Sequence, residues 1–72
     1  MKTFNLKNLV WKEGKRYVSW NINTGVSSFG DTKKEALKAL EEALALYFED
    51  APASKITKVE RLDVVPLEFK YA

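Results

Sequence analysis

The chain has 72 residues, 46% hydrophobic and 31% charged, with 12 Lys and Arg against 10 Asp and Glu. That length holds a single domain, residues 1–72, and the composition is that of a folded chain rather than a disordered one. With no Cys and no His, disulfides are excluded and no metal or other cofactor is expected, and a net charge of +2 is too mild to imply nucleic acid by itself.

Residues 3–12, TFNLKNLVWK, are rich in strand formers. Phe4, Leu6 and Val10 share one parity, and Leu9 and Trp11 the other. KEGK at 12–15 reads as a turn, with Gly14 free to take positive φ. RYVSWNIN follows. Val18, Trp20 and Ile22 alternate in it with Tyr17, Ser19 and Asn21, the period of a half-buried strand. Thr24-Gly25 is a second turn, and VSSF at 26–29 a short third strand.

Gly30-Asp31-Thr32 opens a helix. Thr32 and Glu35 form a capping box, in which the Thr hydroxyl takes the amide of Glu35 and the Glu carboxylate reaches back to Thr32. Ala36, Leu37, Leu40, Ala43, Leu44, Tyr47 and Phe48 then recur at spacings of three and four, the apolar stripe of an amphipathic helix. Pro52 disfavours helix at Ala51, so the helix is expected to end near Asp50. Its charges oppose its macrodipole, with Lys33 and Lys34 at the start and Glu49 and Asp50 at the end.

After APASK comes ITKVERLDVVPLEFKYA. Leu62 and Val64 share one parity, and Val65, Leu67, Phe69 and Tyr71 the other; the phase slips at Val64-Val65, and Pro66 lacks an amide proton. This predicts a last, returning strand at an edge or with a bulge. The expected fold is therefore two-layer α+β, in the order β-β-β-α-β: a three-stranded antiparallel meander, one amphipathic helix, and a strand beside the meander.

One helix covers one sheet face, so the other face, expected to carry Leu9, Trp11 and Tyr17, needs cover from a homodimer or a partner. Val65, Leu67, Phe69 and Tyr71 read either as ordinary core or as a strand paired with another chain. Glu49 and Asp50 are candidates for pairing with a basic partner, and Glu13 is an exposed turn charge. No catalytic set is expected, because Ser19, Ser27 and Ser28 have no His to act as base and the strands carry almost no acids. The longest apolar run, ALALYF at 43–48, is too short to span a membrane, and MKTFNLKNLV lacks the apolar region of a signal peptide. A cytoplasmic location is expected.

Four pieces, between about residue 8 and residue 50, resemble the HicB antitoxins of type II toxin–antitoxin systems. They are Glu13-Gly14 running into Tyr17-Val18; Gly25 in the following loop; Gly30-Asp31-Thr32 with Glu35-Ala36-Leu37; and Glu42-Ala43-Leu44 with Leu46-Tyr47 and Glu49-Asp50. The resemblance implies a partial RNase H-like fold, here expected as a short form that departs from many members in lacking the DNA-binding tail. It also implies a function without catalysis, in which the chain binds a small HicA-type mRNA-cleaving toxin and covers its active site. Partner or dimer contacts are then expected from Trp11, Glu13, Tyr17, Glu49, Asp50, Leu67, Phe69 and Tyr71. A second reading takes Trp11, Tyr17, Trp20 and Phe29, interleaved with Lys12, Lys15 and Arg16, as a stacking platform in a stand-alone dimer that binds RNA or DNA weakly.

Overall fold

The computed structural model describes residues 5–52 and 56–70. The predicted first-strand residues Thr3 and Phe4, the linker residues 53–55 and Tyr71 lie outside the described residues. Three strands, β1 (Asn8–Glu13), β2 (Arg16–Asn21) and β3 (Ser27–Gly30), are followed by one helix, α1 (Lys33–Asp50). The strands form an antiparallel sheet in the order β1-β2-β3, an α+β fold with the predicted β-β-β-α layout.

The turn at Gly14 sets the register. Gly14 has φ 63°, while Lys15, like every other non-glycine described, has negative φ. Glycine first and a negative φ second is the pattern of a type II′ two-residue hairpin turn, whose twist matches that of the strands. It fixes Glu13 opposite Arg16, and from there Trp11 opposite Val18 and Leu9 opposite Trp20. Side chains alternate, so Leu9, Trp11, Glu13, Arg16, Val18 and Trp20 share one face. Val18 opposite Phe29 adds Phe29 to it.

The helix covers the other face. Ser19, fully buried, donates its hydroxyl to the Ala36 carbonyl at 2.8 Å. Gly30 lies so close beneath the first turn that a Cβ there would sit 2.6 Å from the Ala36 amide nitrogen. Small residues on the sheet thus let α1 come down onto β2 and β3, and it makes little contact with β1. The buried apolar core is Ala36, Leu40 and Leu44. Leu37, on the predicted stripe, is 41% exposed because it faces the thinly covered β1 side.

The helix is capped at both ends. The Glu35 amide donates to the Thr32 hydroxyl at 3.1 Å, and the Glu35 carboxylate accepts from the Asp31 amide, one residue before the predicted one. At the other end the Ala51 amide donates to the Tyr47 carbonyl at 3.0 Å, and Pro52 follows. The last turn contains no base.

Two asparagines that read only as residues of the second strand's run hold the far end of the sheet. Asn21, fully buried, accepts at Oδ1 from the Thr24 amide and hydroxyl, and donates from Nδ2 to Asn8 Oδ1 at 2.7 Å and to the Lys7 carbonyl at 3.4 Å. Asn23 accepts the Lys7 amide at Oδ1, donates from Nδ2 to the Thr57 carbonyl, and accepts the Thr57 amide at its own carbonyl. Lys7 Nζ donates to the Glu60 carbonyl at 3.0 Å. The C-terminal segment is therefore pinned beside the start of β1 as far as residue 60.

Beyond that point the expected returning strand is absent from the described residues. Residues 61–70 carry no regular structure and are exposed throughout, with Val64 88%, Val65 75%, Leu67 84% and Phe69 75% accessible. Pro66 offers the physical reason. It lacks an amide proton and so cannot donate to a ladder where its backbone faces a neighbouring strand.

Candidate functional site

The strand face turned away from α1 is the most prominent surface feature. Leu9, Trp11, Val18, Trp20 and Phe29 lie on it; Leu9 and Val18 are half-buried, while Trp11 and Trp20 are 40% exposed and Phe29 55%. The Arg16 guanidinium stacks over the Phe29 ring, 4.7 Å from its centroid. Glu13, directly across the hairpin from Arg16, sets an acid against that base at one end of the face. Beside them Glu13, Arg16, Val18, Ser27, Ser28 and Phe29 line a shallow concavity of about 470 Å³.

The open face differs in membership from the one expected. Trp11 and Glu13 belong to it, but Tyr17 does not. It is half-buried on the helix side with Ser19 and Asn21, and Val18 and Trp20 take the open side. The physical reason is the packing distance. The helix side needs Ser19 and Gly30 for close approach, so the alternating apolar set of β2 points outward. The two-residue turn carried this information, since pairing Glu13 with Arg16 places Val18, rather than Tyr17, on the face of Trp11.

The other predicted contact residues lie elsewhere. Glu49 and Asp50 are exposed at the end of α1, where Asp50 shares a hollow with Leu46, Tyr47, Ala51 and Pro52. Leu67 and Phe69 lie on the exposed C-terminal segment. Thr32 and Glu35 act at the helix start, on the far side of the sheet from the open face.

Among the described residues no three His, Cys, Asp or Glu side chains gather in a way that could hold a metal ion, and no helix is long and apolar enough to cross a membrane. Such a face, flat, apolar and aromatic with a charged rim, has the composition of protein-binding surfaces, where Trp, Phe and Arg anchor contacts.

Fold and surface together define a small two-layer α+β domain with one sheet face uncovered. The chain belongs to the family of unknown function DUF7387, whose model matches residues 4–70. No curated protein and no solved structure matches it.

Proposed function

We propose that this chain is a protein-binding module that docks through its open sheet face, and that it acts as a HicB-like inhibitor of a small HicA-type ribonuclease. The observation that carries the docking is the exposed aromatics Trp11, Trp20 and Phe29, set beside half-buried Leu9 and Val18 on one face of the sheet. A stable interface takes about 800 Å² from each partner, about an eighth of the 6365 Å² that this chain exposes. The inhibitory role rests on the resemblance of residues 8–50 to the HicB pattern. Docking would be steric, with the aromatic face laid over the partner's catalytic groove. The reading gives the chain itself no catalytic step.

Trp11, Trp20, Phe29 and Arg16 on one sheet face also suit the stacking of single-stranded bases, and this supports weak nucleic-acid binding as the second reading. Charge favours protein only mildly, because Glu13, directly across the strand pair from Arg16, offsets one of the three bases Lys12, Lys15 and Arg16 at that end.

The test is co-expression with the product of the adjacent open reading frame, followed by affinity purification and an RNA-cleavage assay. The expected result is co-purification through wild-type chain, loss of capture with Trp11→Ser and Trp20→Ser together, and cleavage activity that appears when this chain is stripped away. Purification of the chain without the neighbour, combined with salt-sensitive RNA binding by the chain alone, would replace this reading with the second.

A further inference from the structure

A second surface, separate from the open face, is incomplete in the single chain. β1 is an edge strand of six residues, and α1 barely reaches it. Between them runs a groove of about 440 Å³ lined by Leu6, Asn8, Leu37, Leu40, Glu41 and Leu44, mostly leucine and open to solvent. The backbone of β1 also has a free side. The Ile22 amide donates to the Lys7 carbonyl at 3.1 Å, so residues 7, 9, 11 and 13 form the hydrogen-bonded pairs with β2. The amides and carbonyls of Asn8, Val10 and Lys12 therefore point outward to the unpaired edge, while their side chains lie on the helix side.

The chain also carries a segment suited to that edge. From residue 65 onward Val65 and Leu67 alternate with Pro66 and Glu68, an extended stretch with one apolar side. It is exposed and unstructured. Its path decides whose edge it fits. In its own chain Glu60 is held beside Lys7, at the start of β1, so a segment returning along β1 would run parallel to it. With Val65 and Leu67 turned into the groove, parallel pairing aims the backbone of Pro66 at β1, where its missing amide removes a ladder bond. Antiparallel pairing reverses this. Val65 and Leu67 then face both the groove and the ladder, and Pro66 points to the new outer edge, where proline is tolerated.

We propose that residues 65–69 of a second copy of this chain add antiparallel to the free edge of β1 as a fourth strand, placing Val65 and Leu67 in the groove between β1 and α1. The exchange is reciprocal, each copy giving its segment to the other about a two-fold axis. Pro66 on the outer edge leaves no continuous ladder for a third copy, so assembly closes at two.

The test uses the full chain. Light scattering over a range of concentrations should give a dimer, and Leu67→Asp should weaken dimerisation by at least about a hundredfold, the minimum expected from losing two buried leucines, one from each copy. Leu67 is exposed in the single chain, so at concentrations where both are monomeric the circular dichroism of the variant should match wild type. For the geometry, a nitroxide on Lys70→Cys is mixed with isotope-labelled wild-type chain, with no native Cys to interfere. Broadening of the Asn8 and Val10 amides on the labelled chain is expected. A monomer at all concentrations, a dimer indifferent to Leu67→Asp, or a dimer without that broadening would each overturn the proposal. Indifference to Leu67→Asp would point to pairing through the open face instead.

Discussion

Replacing Gly30 with alanine tests how closely α1 is seated on the sheet. A Cβ at this position would lie 2.6 Å from the Ala36 amide nitrogen, and 2.8 Å from both the carbonyl carbon and the Cβ of Glu35. Two of the three atoms are backbone, so relief requires moving the first turn of the helix rather than rotating a side chain. Moving that turn also stretches the Ser19 bond to the Ala36 carbonyl and disturbs the Thr32 cap. Overpacking of this kind costs about 1–3 kcal/mol. A 72-residue domain has roughly 4–11 kcal/mol of stability. At about 4–8 °C per kcal/mol, a loss of about 2 kcal/mol lowers Tm by about 8–16 °C. Thermal unfolding followed by circular dichroism measures this directly. The reasoning also predicts that Ala36→Gly does not rescue Gly30→Ala, because the first obstacle is the amide nitrogen at position 36 and not its side chain. A Tm within about 2 °C of wild type, or rescue by the double change, would refute the close seating of the helix.

Three further outcomes follow from the same geometry. Thr32→Ala removes the acceptor of the Glu35 amide and should cost about 1 kcal/mol, read as a Tm lower by about 4–8 °C. Asp50→Lys places a base in a last turn that has none and should stabilise by about 0.3–1 kcal/mol at low salt, a gain that urea titration should find diminished at high salt. Asn21→Ala strips the partners from Thr24, Asn8 and the Lys7 carbonyl at once and should cost about 2–4 kcal/mol in chemical denaturation, the largest loss among these variants.

Much of the architecture is legible in the sequence because its signals are local. Gly14 between two strand-forming runs gives the hairpin, and Thr32 with Glu35 gives the helix start. Pro52 gives its end. The facing of β2 was harder to read, since alternation shows that Val18 and Trp20 share a side without saying which side the helix takes. Hydrophobicity argues for Val18 and Trp20 inward, whereas packing distance selects the side with Ser19 and Gly30. The parts played by Asn21 and Asn23 were hidden for a different reason. Their partners Lys7, Asn8 and Thr57 are up to 34 residues away, and strand alternation carries no trace of such long-range bonds. The last strand rests on apolar parity alone, and parity is the same whether the segment pairs within the chain or with another one.

The small size of the buried core has a thermodynamic consequence. Ala36, Leu40 and Leu44 form the whole buried apolar set among the described residues, while Trp11, Trp20 and Phe29 stand exposed on the opposite sheet face. Any species that binds only the folded chain adds RT ln(1 + [L]/Kd) to its stability, about 2.7 kcal/mol at a hundredfold excess over Kd. Against so slight a core, that increment is a large fraction of the total. Melting temperature thus becomes a sensitive, label-free reporter of occupancy, and a ligand for this domain can be sought by its effect on unfolding before its chemistry is known.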